Sequence, residues 1–284
     1  MEKRIALLAF ILMVVGVSSS AVYALPPMGP PKALLGQDRL EVGIEYGYRN
    51  MDLEAVGNVT DIQVSPEFIT VEKVKHNIND LKSNIVLGRV GYGVSDDWDA
   101  FVRLGVADAQ SDIEQIHSDN ATDKYQGSDG SFGFAWGLGT RATFWQDEHV
   151  SWGGLFQMTW EKPDESDISL SGDTNFSGTA EIEIWEVQIA LGPTVRLVDG
   201  FCIYGGPFLH YVNGDLDLSG KTVDTGTKMR VEASGDIEEK SQLGGYFGAY
   251  WDMEKLAKGL PAINLELQLT GDATAIGLGS VWKF

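Results

Sequence analysis

Between Asp38 and Phe284 large apolar side chains recur at every second position, and nowhere in that stretch does an apolar run approach the roughly 20 residues that a membrane-crossing helix needs. Period two belongs to the β-strand, whose successive side chains point to opposite faces. Leu40, Val42, Ile44, Tyr46 and Tyr48 share one face of the first segment, and Glu41, Gly43, Glu45 and Gly47 share the other. Segments near 98–106, 132–144, 150–160 and 263–269 repeat the pattern. The spacing predicts a single all-β domain over 38–284, an antiparallel barrel of about ten strands with eight to twelve allowed.

The polarity of the two faces decides which points outward. The polar face is rich in glycine and carries Glu41, Glu45, Arg89, Arg103, Arg141 and Glu266. Small residues and mutually neutralising charges suit a narrow lumen, whereas a lipid-facing Lys or Arg at mid-depth costs about 2–4 kcal/mol. The other face holds more large aromatics than the inside of so small a barrel could accommodate. The expected structure is therefore a transmembrane β-barrel, because every backbone amide in hydrocarbon must be paired and only a closed sheet achieves that without helices. Its lumen would be narrow or plugged, with a charge network formed by those six residues. Trp98, Trp145, Trp152, Trp160 and Trp251 fall near the ends of proposed strands, as expected of an aromatic girdle at the two interfaces.

Connection lengths alternate. Long connections are expected at 51–83, 108–131, 162–178 and 214–240, and short ones at 95–97, 146–149 and 198–200. That parity places every long connection at the end opposite the termini, as transmembrane barrels require. One segment, 181–197, changes phase: Ile182 and Ile184 fit one register, whereas Trp185, Val187, Ile189 and Leu191 fit the other. A β-bulge near Ile184 is the expected remedy.

The N-terminus reads as an export signal. Lys3 and Arg4 precede the apolar stretch Ile5 to Val17, and Val22-Tyr23-Ala24 offers a small-residue cleavage site. Residues 1–24 are read as a cleaved signal peptide and 25–37, with Pro26, Pro27, Pro30 and Pro31, as an irregular lead-in on the periplasmic side. The lone Cys202 excludes an intramolecular disulfide and lies far from any lipid-attachment position. A formal net charge of −20 gives the chain no electrostatic reason to bind nucleic acid.

The last ten residues, AIGLGSVWKF, place Ile276, Leu278, Trp282 and the terminal Phe284 on one face. This ending resembles the C-terminal assembly signal of bacterial outer-membrane β-barrel proteins, although Ser280 departs from its apolar preference. The resemblance implies location in the outer membrane, contact with its lipid and lipopolysaccharide, and recognition by the barrel-assembly machinery.

No catalytic, metal or cofactor constellation stands out. His210, followed by Asp215 and Asp217, is the nearest approach to an omptin-like arrangement, but no paired acid motif accompanies it. A lipid A-modifying enzyme would need a positioned nucleophile and base, and His76, His117 and His149 fall in connections instead. Acidic connections (Asp108, Asp112, Glu114, Asp119; Asp164, Glu165, Asp167, Asp173) match no defined calcium loop, although loose divalent-cation or surface-ligand binding stays open. The sequence therefore favours a structural or surface-interaction barrel that is not an enzyme. The alternatives are a narrow channel for small solutes, an outer-membrane hydrolase and a soluble periplasmic barrel.

Overall fold

The computed structural model of the chain describes residues 26–64, 67–116, 122–127, 130–170, 176–222, 229–238, 242–271 and 273–284. The segment read as a signal peptide lies outside them. Among the described residues fourteen strands occur in chain order: β1 (Leu40–Val64), β2 (Glu67–Ser95), β3 (Trp98–Ala107), β4 (Gln110–Ile116), β5 (Thr122–Gly127), β6 (Gly133–Gln146), β7 (Val150–Lys162), β8 (Ser166–Leu170), β9 (Phe176–Val198), β10 (Phe201–Thr222), β11 (Met229–Glu238), β12 (Leu243–Asp252), β13 (Ala262–Leu269) and β14 (Ala273–Lys283).

Ten of them close a ring in the order β1-β2-β3-β6-β7-β9-β10-β12-β13-β14, with β14 returning antiparallel to β1. Closure leaves no unpaired edge at that level. The ladder is completed at the end carrying the termini, where Phe284 N–H donates to the Leu40 carbonyl at 2.8 Å and Leu40 N–H donates to Phe284 at 3.2 Å.

The connections expected as long loops are instead largely strand. β1 and β2 run on together as far as Val64 and Glu67, and β9 and β10 pair to Phe176 and Thr222. With β4, β5, β8 and β11 they form a second, smaller ring above the first, closed through β5–β8, β8–β9, β10–β11 and β11–β1. These segments read as loops because many of their outward positions, among them Asp52, Glu54, Asn58, Glu181, Glu183, Asn213, Asp215 and Asp217, hold residues of low β propensity, although Val56 and Val71 also face out.

The two rings share strands but invert their chemistry. In β9 the even residues face inward without interruption: Ala180, Ile182, Ile184, Glu186, Gln188, Ala190 and Thr194 are all buried. The outward residues change at one level, from Glu181 and Glu183 to Trp185, Val187, Ile189 and Leu191. β10 does the same, with Leu209 and Tyr211 outward below and Asn213, Asp215 and Asp217 outward above. No bulge occurs near Ile184, contrary to the expectation from sequence. The pleat keeps its phase, and the apolar face switches sides because the medium outside the barrel switches from hydrocarbon to water. Above that level Met51, Leu53, Ala55, Ile78, Leu81, Ile182, Ile184, Val212, Leu216 and Ile237 pack into an apolar core inside the upper ring. Below it the interior gathers the buried charged and amide side chains, interleaved with Leu87, Phe101, Leu155, Tyr204, Phe208 and Tyr246.

Candidate functional site

The lower lumen is built around three arginines projecting from neighbouring strands: Arg89 on β2, Arg103 on β3 and Arg141 on β6. Glu41 and Glu45 on β1 face them. Arg89 donates to Glu41 at 2.7 Å and to Glu45 at 2.8 Å. Arg103 reaches Glu45 at 3.4 Å and Thr159 at 3.0 Å. Arg141 bridges Glu41 at 3.2 Å and Asp99 at 2.8 Å. Phe101 points inward beneath all three, its ring centroid 3.6 Å from the Arg89 guanidinium carbon and 5.4 Å from those of Arg103 and Arg141. A desolvated guanidinium over an aromatic face gains cation–π stabilisation, so one ring serves three charges. None of the six residues read from sequence as the lumen charge network is more than 4% exposed.

Glu266, the sixth, stands apart from the arginines. Its carboxylate accepts the backbone N–H of Met28 at 2.8 Å and of Gly29 at 2.9 Å, together with the Gln268 amide at 2.6 Å. These contacts place the proline-rich segment inside the barrel. The Pro26 carbonyl accepts from Gln157 at 3.1 Å and Gln268 at 3.2 Å. Ala33 N–H donates to Thr143 at 3.1 Å, and Leu34 N–H donates to Asp99 at 2.7 Å. Residues 26–37 thus form a plug whose backbone is paired with wall side chains, as a buried irregular segment must be. Two inward glycines make its path: a Cβ on Gly153 would stand 2.1 Å from the Pro31 carbonyl oxygen, and one on Gly277 would stand 2.4 Å from Pro27.

Immediately beneath the apolar core, Arg49 of β1 forms ion pairs with Glu161 of β7 and Glu186 of β9, and all three are buried. Arg49, Asp99 and Phe101 were not singled out from sequence. The signal for each was its place in the inward parity alongside Glu41, Glu45 and Arg103. Three layers therefore fill the bore from the terminal end upward: plug and arginine network, the Arg49 cluster, and the apolar core of the upper ring.

The outside of the ring is apolar. Val102, Leu104 and Ile189 are exposed, Leu104 to 61%. On β9 the outward apolar stretch runs from Trp185 to Leu197, which at ~3.3 Å per residue and a tilt of about 40° climbs roughly 30 Å, the depth of a hydrocarbon layer. Trp136, Trp160 and Trp185 stand in register across β6, β7 and β9 at its upper edge, with ring centroids of Trp136 and Trp185 5.6 Å apart. The Trp160 indole donates to Glu183 at 2.8 Å, one end in the apolar belt and the other on the water-facing row. Trp98, Trp145, Trp152, Trp251, Trp282 and Phe284 lie outward at the terminal end. Ile276, Leu278 and Trp282 line the outward face of β14, opposite Tyr48, Tyr46 and Val42 of β1.

His210 points inward and is fully buried beside Phe208, whereas Asp215 and Asp217 lie on the opposite face of β10. The structure does not bring them together. Among the described residues no group of three or more His, Cys, Asp or Glu is arranged to hold a metal ion. His76, His117 and the acidic residues Asp112, Glu114, Asp119 and Asp173 have side chains outside the description.

An antiparallel ring of ten strands with a lipid-type exterior and a filled polar lumen is a transmembrane β-barrel of the bacterial outer-membrane type. No family model and no curated protein matches the chain. Solved structures resemble it at low identity. The outer membrane protein OprG from Pseudomonas aeruginosa is 10% identical over 87% of this chain and 98% of that one, with a TM-score of 0.40. The outer membrane protease OmpT from Escherichia coli is 8% identical over 87% and 96%, at 0.43. The translocator domain of the autotransporter NalP from Neisseria meningitidis is 11% identical over 99% and 96%, at 0.40. The fold rests on this chain's own strand pairing, and no activity of those proteins transfers to it.

Proposed function

We propose that this chain is an exported, integral outer-membrane barrel with a sealed bore, whose role is structural or surface-presenting rather than transport or catalysis. The observation that carries this reading is the three-layered filling of the bore. Conduction needs a continuous wet path, and here a plug, two buried ion-pair clusters and an apolar core stand in series. The exposed apolar belt favours this over a soluble periplasmic barrel, since an uncovered belt of that size aggregates in water. The same orientation puts the termini in the periplasm and the upper ring outside, among lipopolysaccharide, with the acidic outer rows able to meet divalent cations or surface ligands. The C-terminal strand would be read by the barrel-assembly machinery.

Planar-bilayer recording tests the reading. The intact barrel should give no stable unitary conductance. A defined, reproducible conductance from the purified intact protein would overturn the sealed bore in favour of a narrow channel. Protease or lipid A hydrolase activity abolished by His210→Ala would overturn it in favour of an enzyme.

A further inference from the structure

The end of the barrel that carries both termini holds a cavity of about 180 Å³ between plug and wall, several waters' worth of space. It is lined by Lys32 from the plug, by Ser151, Thr194 and Arg196 from β7 and β9, and by Lys255 and Lys283. A chain with 41 acidic and 21 basic side chains has here gathered four cations against three carboxylates, Asp147, Glu148 and Asp252, around one space.

The charges are not all committed. Lys283 pairs with Asp252 at 2.9 Å and Lys255 with Asp199 at 3.0 Å. Asp147 is occupied by the backbone N–H groups of His149 and Val150 in its own turn, and Glu148 is exposed. Among the described residues, neither Lys32 nor Arg196 has a carboxylate within ion-pair distance. Lys32 is half-buried and touches only the Ser151 hydroxyl, at 3.4 Å. Burial lowers its pKa; the neighbouring Cys202 pushes it up, and Arg196, Lys283 and Lys255 push it down with burial. Thr194 is 2% exposed, lines the cavity, and its hydroxyl has no hydrogen-bond partner. A buried hydroxyl left unpaired is destabilising unless something in the cavity takes it up.

We propose that this cavity is a binding site for a dianionic phosphate, free or as a monoester, held by the Lys32 ammonium, the Arg196 guanidinium and the Thr194 and Ser151 hydroxyls. Two uncommitted cations match a dianion, and the unpartnered Thr194 hydroxyl supplies a neutral donor; the Ser151 hydroxyl, which donates to Gln146 at 3.1 Å, adds a second by turning from that partner to the bound oxygen. Lys32 belongs to the plug and the other three to the wall, so a bound phosphate clamps one to the other. By linkage, it stabilises the plugged state by an amount that grows with the logarithm of phosphate concentration above Kd. The proposal rests on the plug and its wall, not on the sealed-bore reading, and it stands even if the barrel conducts.

The test uses the full mature barrel refolded in phosphate-free detergent. Inorganic phosphate, with sodium chloride at equal ionic strength as the reference, should raise the unfolding midpoint progressively, with the logarithm of its concentration above Kd, and give a saturable heat of binding. Lys32→Met should abolish both effects and Lys32→Arg should restore them. Thr194→Val should weaken binding by about tenfold, the loss of roughly one hydrogen bond to a charged group. Glycerol phosphate binding as well as phosphate would identify a monoester site, and weaker binding would identify free phosphate. A midpoint shift matched by chloride, or unchanged in Lys32→Met, would overturn the proposal. If Lys32→Met fails to refold, Arg196→Met, at an exposed position, must lose the effect, and an absent binding heat in the unmodified protein refutes the site outright.

Discussion

Glu266 is the hinge between plug and wall, and its replacement separates plug docking from barrel folding. Its carboxylate holds two backbone N–H groups of the plug, those of Met28 and Gly29, at 2.8 and 2.9 Å. A hydrogen bond to a charged group contributes about 1.5–3 kcal/mol, so Glu266→Ala should weaken docking by roughly 3–6 kcal/mol. Glu266→Gln keeps one acceptor oxygen and presents an amide N–H to the other donor, so it should lose about half of that or slightly more. Met28 is fully buried. A Met28→Cys probe, in a Cys202→Ala background that removes the native thiol, reacts with maleimide only when the plug leaves. At tenfold per 1.4 kcal/mol, labelling should accelerate more than about 100-fold in Glu266→Ala and by an intermediate factor in Glu266→Gln. Heat-modifiable mobility should stay that of the folded barrel, since no ring strand loses its ladder. Equal, slow labelling in all three backgrounds would refute the assigned anchor. Fast labelling with Glu266 intact would refute the plug.

The remaining expectations concern the wall. Ile189→Arg should destabilise the refolded barrel by about 2–4 kcal/mol, whereas Glu183→Arg, six residues along the same face and above the aromatic row, should cost under about 1 kcal/mol; equal costs in chemical denaturation would erase the proposed boundary. Ile184→Ala empties part of the upper core and should cost about 2–5 kcal/mol in the same assay, while an inert substitution would mean that Ile184 faces out. Arg141→Met leaves Asp99 and Glu41 buried without their shared cation, an expected loss of about 3–5 kcal/mol; a neutral or stabilising result would show that the network is dispensable. Deleting Phe284 should cut the yield of inserted barrel in cells far more than it changes the stability of barrel already refolded in detergent, and normal insertion at native expression would remove the assembly role.

The lower ring was legible in the sequence because two neighbouring media impose opposite demands on alternate residues. Arg103 and Leu104 cannot exchange faces, so their strand could be phased by eye. The upper ring was not legible for the same reason. Reading Ile182 and Ile184 as lipid-facing, by analogy with Ile189, demanded a bulge that the chain does not make. The contrast between Glu183 and Trp185 on one face was the available sign that the medium, not the pleat, had changed. The plug was hidden differently. Pro26 to Pro31 carries no period, and its place inside depends on complementarity with Gly153, Gly277, Glu266 and Gln268, residues scattered across three strands. The lumen charges could be named from parity, but the partner of Glu266 could not, because a backbone N–H leaves no mark in a sequence.

The sign change along the outer wall also sets how deeply the barrel rides. Two residues of a tilted strand correspond to roughly 5 Å of height. Sinking by that amount would submerge Glu183, Lys162 and Asn213, and rising would lift Trp185, Trp160 and Tyr211 out of the interface they prefer. Either displacement is opposed on several strands at once, so the molecule floats at one level, like a hull with a painted waterline. The paired β10 and β11 therefore stand at a fixed freeboard above the belt, held there by the row of aromatics beneath rather than by their own residues.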